Sequence, residues 1–482
     1  MSHDLEADYV IVGAGAAGLA FADTLLSETE ATMVIVDRRY RPGGHWNDAY
    51  PFVRLHAPST LYGVNSRALG TGRIDQIGLN EGLLELASGA EVLAYYEQLM
   101  CEHLLPSGRV TYLPMQDYRQ EGEITSRLDG HRRRLRARRR LVDGTYADTR
   151  VPATHAPTFE VSGAASCVTP TELAALERAA KGFVIIGGGK TAIDTAIWLL
   201  EQGIDPDSIL WIRPRDAWLL DRANFQTDAA SFERTIGSFA LELEVACTAT
   251  STADLFARLE AHGLLHRIDP RVAPTMYRCA TVSAAELAQL RRIKRVVRLG
   301  HVRAIRPDRI VLEEGVIPTS PDFVHIHCAA DGIPRKPPQP IFQSGRIVLQ
   351  YVRRCSPAFS AALIACVEAA FQDDDVKNRL CGVVPVPDEP LDWLRMLLQD
   401  AQNASRWRHS APLRRWLTGS RLNRLSNMMD AARQSPSPGH RTVLERYGRA
   451  VGPALARLSE LLAQTAQAPR RDQRDDLVAQ RA

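Results

Sequence analysis

Three glycines near the start of the chain have the spacing of a dinucleotide-binding turn. Gly13, Gly15 and Gly18 follow a short apolar run. In such a turn the first glycine allows a tight bend, the second lets the backbone approach a pyrophosphate, and the third lets helix and strand pack closely. Asp37 ends the next apolar run, at the spacing at which a carboxylate accepts from a ribose hydroxyl. These residues predict a dinucleotide site.

A second set of glycines predicts a second nucleotide site. Gly187 and Gly189 follow the apolar run 183–186, and Lys190 and Thr191 open the helical stretch that comes next. The spacing differs from that of a P-loop, because the pattern G-x-x-x-x-G-K-[ST] is missing. Lys190 is therefore a candidate phosphate contact in a Rossmann-type turn, and Thr191 belongs to the same set.

The acid of the first site has no counterpart in the second. The matching strand, 209–212, ends in Arg213 and Arg215. An acid would repel a 2′-phosphate, whereas a guanidinium offers it charge-assisted hydrogen bonds. These arginines predict NADPH as the second nucleotide; the alternative is that they only solvate the end of the strand.

The elements that must position both sets are a strand before each turn, a helix after it and a second strand beyond. Apolar runs at 9–12 and 33–36 flank the first turn, and runs at 183–186 and 209–212 flank the second. This order predicts an α/β fold with two Rossmann-like dinucleotide-binding domains. Helical periodicity from about residue 386 predicts a helical C-terminal region.

Composition limits the possible partners. The chain has 482 residues, 45% of them hydrophobic and 24% charged, with a formal net charge of +3. This charge is too small to indicate a nucleic-acid partner, and no apolar run reaches the roughly 18 residues of a spanning helix. The acidic N-terminus leads straight into the first strand. We expect a cytoplasmic protein without an integral membrane segment.

The cysteines are scattered along the sequence. Eight occur, and no C-x-x-C or other close pair is present: Cys101, Cys167, Cys247, Cys279, Cys328, Cys355, Cys366 and Cys381. A disulfide oxidoreductase needs two neighbouring thiols and a zinc site needs clustered ligands. We therefore expect neither a disulfide reductase nor a metal site.

The segment after Asp37 resembles the class B flavin-dependent monooxygenases, which include the flavin-containing and Baeyer–Villiger monooxygenases. It carries a Gly-Gly-x-Trp pattern at 43–46 and Tyr-Pro-x-x-Arg at 50–54. The resemblance implies FAD in the first site, with Gly44, Trp46, Arg54 and His56 near the isoalloxazine. A surface loop with a packing tryptophan is the alternative. The family usually has an aspartate where this sequence has His56.

The resemblance also implies further contacts and a reaction. Arg38, Met115 and Asp331 join the FAD set, Met115 through its backbone near the adenine and Asp331 within Ala330-Asp331-Gly332. NADPH would reduce FAD, and O2 would form a C4a-(hydro)peroxyflavin that oxidises a small organic substrate. The sequence itself names no catalytic residue, so Arg54 and His56 are only candidates.

One departure from the family keeps a second function open. The fingerprint F-x-G-x-x-x-H, expected before the second glycine turn, is absent from residues 154–163. A FAD- and NADPH-dependent reductase without oxygen insertion is therefore the alternative enzyme. A non-catalytic reading is also open, in which the arginine-rich stretch 131–140 meets an acidic partner; rapid flavin reduction by NADPH would reject it. That stretch more simply predicts a strand with one face in water.

The expected domain layout follows from these sites. Residues 1–170 form the first part of the FAD domain, and 171–319 form the NADPH domain with a helical insertion at about 221–292. Residues 320–385 return to the FAD domain. Residues 386–482 form the helical region, with a disordered tail from Pro469. Whether the helical region caps the substrate side or joins subunits of a homo-oligomer is left open.

Overall fold

The computed structural model describes residues 5–119, 122–163, 165–330 and 332–467. Its strands are β1 (Leu5–Val12), β2 (Met33–Val36), β3 (Val110–Leu113), β4 (Gln116–Tyr118), β5 (Glu123–Ser126), β6 (Arg132–Asp143), β7 (Glu160–Val161), β8 (Cys167–Val168), β9 (Gly182–Ile186), β10 (Ile209–Ile212), β11 (Ala217–Asp221), β12 (Leu265–His266), β13 (Met276–Val282), β14 (Arg295–Val297), β15 (Val302–Ile305), β16 (Arg309–Leu312), β17 (Gly315–Pro318), β18 (Phe323–His327), β19 (Phe342–Gln343) and β20 (Arg346–Val348). Its helices are α1 (Ala16–Glu28), α2 (Gly89–Leu99), α3 (Pro170–Leu173), α4 (Lys190–Glu201), α5 (Phe232–Thr248), α6 (Thr252–Ala261), α7 (Ala284–Leu290), α8 (Pro357–Ala370), α9 (Asp374–Leu380), α10 (Pro390–His409), α11 (Ala411–Gly419), α12 (Arg424–Arg433) and α13 (Pro438–Gln467).

The first sheet is built around β1. Its strand order is β20-β6-β1-β2-β3, and these neighbours are parallel. All four side chains of β2 are buried, which is why this strand appears in the sequence as a continuous apolar run. Helices α1 and α8 contribute to one core on this sheet, with Leu19 and Leu363 fully buried in it.

The second sheet is parallel throughout, in the order β14-β10-β9-β18-β8. Strand β9 is buried at every position, and α4 begins at Lys190, directly after the second set of glycines. In each unit the chain therefore runs from a strand through a glycine turn and a helix to a second strand parallel to the first. The predicted α/β fold class with two Rossmann-like units is confirmed.

The strand pairing departs from the expected domain layout at two places. Strand β8, expected in the first domain, pairs with β18 in the second sheet. Strand β18 was expected to start the return to the first domain, but it pairs with β9. The chain rejoins the first sheet at β19 and β20. The apolar run of β18 does not encode which sheet it enters, and β8 has only two residues, so the sequence pattern could not assign either strand to a sheet.

A third core contains a small sheet, two helices of the insertion and part of the C-terminal region. Strands β12, β11 and β13 make a small sheet, and α5 and α6 contribute to the same core. The C-terminal helices pack here, with the ring of Trp393 5.6 Å from that of Phe256. The expected helical C-terminal region is thus present. The predicted disordered tail falls at residues 468–482, outside the described residues.

The described ranges contain no helix long and apolar enough to cross a membrane. Within the same ranges, no group of three or more His, Cys, Asp or Glu side chains is placed to hold a metal ion.

The arginine-rich stretch forms β6, as predicted. Arg132, Arg134, Arg136 and Arg138 alternate along its exposed side, whereas Leu135 points into the core. Arg140 differs from them. Its guanidinium donates to both carboxylate oxygens of Asp374, at 2.9 and 2.7 Å, and lies 3.7 Å from Glu368. Glu368 is itself buried, so Arg140 belongs to an internal ion-pair network.

We predict that Arg140→Ala lowers the free energy of unfolding by about 2 kcal/mol, because buried Glu368 loses one of its two cations and keeps only Lys377. Urea unfolding of the purified protein measures the change. Arg134→Ala on the exposed side of the same strand is the control and should change stability by less than about 0.5 kcal/mol. Equal losses for both variants would contradict the internal role of Arg140.

Candidate functional site

The first glycine turn, residues 13–18, joins β1 to α1. Gly13 has φ of +101°, which glycine adopts without strain, and its N–H donates to the Val36 carbonyl at 2.8 Å. A Cβ at Gly18 would overlap the Gly13 carbonyl oxygen. Gly15 is the N-cap of α1, and no side chain accepts from the first turn of this helix. The turn therefore needs Gly13 and Gly18 for its own shape and leaves the amino end of α1 open.

Asp37 lies where the sequence predicted it, against this turn. One carboxylate oxygen accepts from the Ala14 N–H at 2.6 Å and the other from the Arg39 N–H at 2.7 Å. The side chain is buried. Arg38 is exposed next to it, with its guanidinium 3.9 Å from Asp117. Each oxygen of Asp37 keeps a lone pair for a further donor such as a ribose hydroxyl.

Gly44 and Trp46 also lie at the first turn. A Cβ at Gly44, where φ is +58°, would lie only 2.9 Å from the Gly15 Cα. The N–H of Gly43 donates to the Ala14 carbonyl at 2.8 Å. Trp46 is half-buried against the first core, with its ring 5.5 Å from that of His45. The Gly-Gly-x-Trp segment therefore adjoins the first turn, and its place near an isoalloxazine stays a prediction.

Met115 is close to the site but its backbone is already paired. Its N–H donates to the Arg39 carbonyl at 3.1 Å, and its carbonyl accepts from the Arg127 N–H at 2.8 Å. The predicted contact with an adenine would therefore have to use the second lone pair of the carbonyl. Asp331, the other late member of the expected FAD set, lies outside the described residues.

The two catalytic candidates, Arg54 and His56, have different surroundings. Arg54 is exposed, and its guanidinium donates to the Leu86 carbonyl at 3.2 Å. His56 Nδ1 faces the N–H of Thr281 at 3.3 Å. Burial, with smaller effects from Lys190 and Arg222, lowers the pKa of His56 to about 3. His56 is therefore neutral at physiological pH and accepts at Nδ1, so it cannot supply a proton as an imidazolium.

The second glycine turn, residues 187–192, repeats the first. Gly189, the N-cap of α4, has φ −91° and ψ −174°, and Gly15 has −89° and −175°. A Cβ at Gly189 would meet nothing within 4 Å. Thr191 is half-buried in the first turn of α4. Lys190 instead reaches along the helix to form an ion pair with Asp194, so its ammonium group is already engaged.

Arg213 does not face the second turn as the sequence predicted. It is buried, its guanidinium lies 4.8 Å from the Trp211 ring, and its Nη2 pairs with Asp216 at 3.2 Å. Burial lowers the pKa of Arg213 to about 10. The prediction that it meets a 2′-phosphate is therefore corrected: an arginine at a strand end can point back into the fold when an acid three residues on receives it.

Arg215 does lie at the second turn, within a group that the sequence did not reveal. Its carbonyl oxygen is 2.5 Å from where a Cβ on Gly188 would lie. The arginine cluster consists of Arg215, Arg278 and Arg335, which reach the Asp388 carboxylate at 2.9, 2.6 and 3.3 Å respectively. Arg215 follows β10, Arg278 lies in β13 and Arg335 follows β18. No local sequence signal links them.

Asp388 is the acid at the centre of the cluster, and its side chain is 1% exposed. Burial alone would raise its pKa, but hydrogen bonds from Arg215 and Arg278 outweigh that effect and hold the pKa below its usual value. Three guanidinium groups share this one carboxylate. Arg335 is the most exposed member of the cluster, at 58%, so its guanidinium is the most accessible to a ligand.

Residues 50–60 bring the two units together. The Tyr50 hydroxyl donates to Asp194 of α4 at 2.7 Å, and the Phe52 ring stacks on that of Trp198 at 4.7 Å. The hydroxyls of Thr60 and Thr227 are 2.7 Å apart. The segment expected next to a flavin thus contacts the helix that begins at the second glycine turn.

The cysteine expectation also needs correction. Cys279 and Cys355 are 76 residues apart in sequence, yet they form a disulfide. The spacing of the cysteines could not predict this pair, because β13 and the start of α8 are far apart in sequence and become neighbours only in the folded structure. The absence of a C-x-x-C motif therefore does not exclude a neighbouring cysteine pair.

Comparison with known proteins places the chain in a family. The model of a family described as an NAD(P)-binding Rossmann-like domain matches residues 11–58. The uncharacterized protein Rv2000 of Mycobacterium tuberculosis is 46% identical over 458 residues, covering 95% of this chain and 85% of that protein. An identically matching protein occurs in Mycobacterium bovis. The chain belongs to this mycobacterial family.

Solved structures resemble the chain more distantly. A variant of a flavin monooxygenase from Stenotrophomonas maltophilia is 15% identical, with 77% of this chain and 100% of that chain covered and a TM-score of 0.45. Cyclohexanone monooxygenase from Rhodococcus sp. Phi1, bound to NADP+, is 12% identical, with 78% and 84% covered and a TM-score of 0.46. With TM-scores below 0.5, these likenesses carry no argument about the activity.

Two half-buried histidines make stability depend on pH. Burial lowers the pKa of His45 to about 4 and that of His56 to about 3, whereas both would titrate near 6.5 in the unfolded chain. Below pH 6.5 these histidines bind protons in the unfolded state but stay neutral in the folded state. The free energy of unfolding therefore has its full value above pH 6.5 and decreases as the pH falls.

We predict that His56→Gln reduces this pH dependence by up to about 1.4 kcal/mol per pH unit between pH 6 and pH 4.5. Urea unfolding at several pH values measures the slope. His262, which is exposed, provides the control: His262→Gln should keep the wild-type slope. An unchanged slope in His56→Gln would show that this ring protonates in the folded protein.

Proposed function

We propose that the protein is a FAD- and NADPH-dependent oxidoreductase that acts as a flavin monooxygenase on a small organic substrate. The observation that carries the proposal is the pair of glycine turns with the same N-cap conformation, each opening a helix in its own parallel sheet. Two dinucleotides held by one chain are suited to hydride transfer between a nicotinamide and a flavin.

The described residues fit two pyrophosphates. Helices α1 and α4 both begin at a glycine, with no side-chain cap and no acidic residue in the first turn. The N–H groups and the positive dipole end of each helix therefore remain available to an anion. A Cβ at Gly189 would stand in open space, and one at Gly15 would make only an ordinary contact with the Gly44 Cα, at 3.5 Å.

The residues around the two turns favour different nucleotides. Asp37 suits a ribose that carries free hydroxyls, and Gly44 and Trp46 adjoin that turn, which supports FAD in the first site. The arginine cluster beside the second turn has charge to offer a 2′-phosphate, which supports NADPH there. Arg215 and Arg335 would make that contact, and Arg213 would support the strand beneath it.

The chemistry that FAD supplies when bound is acceptance of a hydride from a nicotinamide and, once reduced, reaction with O2. The chain positions both sites through Tyr50, whose hydroxyl bond to Asp194 ties residues 50–60 to α4. His56 is uncharged at physiological pH and so is not an imidazolium acid, which suits a site that must protect a reactive oxygen species from protonation. We also propose a cytoplasmic location, where NADPH is available.

A reductase without oxygen insertion is the second candidate. It is favoured by the absence of the F-x-G-x-x-x-H fingerprint from residues 154–163. Both candidates share every step up to the reduced flavin. They differ only in what happens to oxygen.

The first test concerns the two turns. Purified protein should bind FAD and show a flavin spectrum that NADPH bleaches without oxygen. Gly15→Ala should lose FAD but melt at the temperature of FAD-free wild type, because the added methyl makes only an ordinary contact in the protein but occupies the space of the pyrophosphate. Gly189→Ala, the matched variant, should keep FAD and bleach more slowly. Full FAD occupancy in Gly15→Ala would overturn the assignment of the first site.

Oxygen then separates the two candidate activities. The NADPH-reduced protein is mixed with isotopically labelled O2 and a panel of ketones, sulfides and amines. A product carrying one labelled oxygen atom, detected by mass spectrometry, is the result expected of a monooxygenase. Stoichiometric hydrogen peroxide with no oxygenated product from the panel would favour the reductase.

Coenzyme choice tests the arginine cluster. We predict that Arg335→Ala weakens NADPH binding roughly tenfold and leaves NADH unchanged, since a charge-assisted hydrogen bond contributes about 1.5 kcal/mol or more. Titration of both coenzymes measures it. Arg309→Ala, an exposed arginine that pairs with the adjacent Asp308, is the control. An equal loss of affinity for NADPH and NADH would show that the cluster does not bind the 2′-phosphate.

A further inference from the structure

Cys279 and Cys355 share an unusual backbone feature besides their disulfide. Their φ angles are +56° and +49°, a region that residues other than glycine rarely adopt. Their Cα atoms are 6.6 Å apart, within the range that disulfides span. Left-handed residues persist only where the surrounding structure holds them, and they concentrate at functional sites. This pair therefore needs an explanation beyond simple packing.

Cys279 lies in a bulge of β13. The pairing of β13 with β11 shifts register between Tyr277 and Thr281. Arg278, one residue before Cys279, belongs to the arginine cluster. Thr281, two residues after it, donates its N–H to His56 Nδ1 at 3.3 Å and its hydroxyl to the His56 carbonyl. The bulge thus lies between contacts to the second glycine turn and contacts to residues 50–60.

Cys355 lies at the other side of the disulfide, directly before the N-cap of α8. Helix α8 has 14 residues, and no side chain caps its amino end. A thiol next to a helix N-terminus is favoured as the thiolate, which is the reactive form. Cys355 is exposed, whereas Cys279 is 8% exposed. A reagent from solvent therefore meets Cys355 first.

We propose that Cys279 and Cys355 are a reversible redox pair, with Cys355 as the site at which peroxides and small thiols react. The proposal does not depend on the assignment of FAD or NADPH. When the pair is oxidised, the β13 bulge is fixed to the start of α8. When it is reduced, Arg278 and Thr281 are held only by their hydrogen bonds and ion pairs.

Oxidation by hydrogen peroxide proceeds in two balanced steps. The Cys355 thiolate attacks one peroxide oxygen, the O–O bond breaks, and the leaving hydroxide takes a proton to become water. The Cys279 sulfur then attacks the resulting sulfenic sulfur, the S–S bond forms, the S–O bond breaks and a second water leaves. Two thiols and one peroxide give one disulfide and two waters.

Reduction by a small dithiol reverses the change. A thiolate of the reagent attacks Cys355 Sγ, the S–S bond breaks, and Cys279 leaves and takes a proton. The second thiol of the reagent then displaces Cys355 and closes the reagent's own disulfide. Two electrons pass from the reagent to the protein cysteines.

Thiol mapping tests the chemistry on the full-length protein. After peroxide treatment, peptide mass analysis should find Cys279 linked to Cys355. After dithiothreitol, Cys355 should react with iodoacetamide at least tenfold faster than Cys101. Cys101 is the matched control: it is also exposed, but it lies in the π-helical turn Met100–Leu104, at the carboxyl end of α2. A missing linked peptide, or equal alkylation rates, would overturn the proposal.

Hydrogen exchange tests the structural consequence. Peptides covering β13 should exchange more slowly in the oxidised than in the reduced wild type. Cys355→Ser should match the reduced protein under both conditions, and Cys101→Ser should keep the wild-type difference. Identical exchange of β13 in oxidised and reduced wild type would overturn the proposal. This comparison uses only the wild-type protein, so it does not depend on the folding of any variant.

Discussion

The contact of Gly18 with the Gly13 carbonyl is the constraint on which the first unit depends. Only hydrogen fits between them, so α1 can begin immediately after β1 and turn its amino end toward the carboxyl edge of the sheet. The second unit also turns at a glycine with positive φ, Gly187 at +131°, but it has Ala192 at the position that corresponds to Gly18. Both helices begin at a glycine N-cap, and glycine has no side chain that could accept from the first turn. The N–H groups of that turn then need an anion or water, and this is how a packing constraint becomes a binding property.

Charge placement decides which anion suits each turn. Asp37 is held by the N–H groups of Ala14 and Arg39, so its position is fixed before any ligand arrives. At the second turn the charge is of opposite sign and comes from the arginine cluster. Asp388 is enclosed by it and keeps the guanidinium groups together, because three like charges would otherwise repel one another. The same carboxylate is the nearest competitor of any phosphate that enters.

The sequence predicts those features that depend on residues close together along the chain. The glycines, Asp37 and the strands that flank the two glycine turns are specified by neighbours within about one strand-helix-strand unit, and they lie as expected. Arg213 was misjudged because a side chain's direction at a strand end depends on Asp216 and on the adjoining sheet, not on the strand itself. The arginine cluster and the cysteine pair join residues far apart in sequence. Periodicity and spacing carry no information on such contacts, which only the packing of separate units creates.

Strand β13 is where these long-range contacts converge. Arg278 ties it to Asp388 before α10, Cys279 ties it to Cys355 before α8, and Thr281 ties it to His56. The bulge between Tyr277 and Thr281 gives the strand extra length, so consecutive residues can face three different elements. A straight strand would alternate its side chains between two faces and could not serve all three. A shift of this bulge would therefore move the contacts to both Asp388 and His56, which makes β13 a physical link between the arginine cluster and residues 50–60.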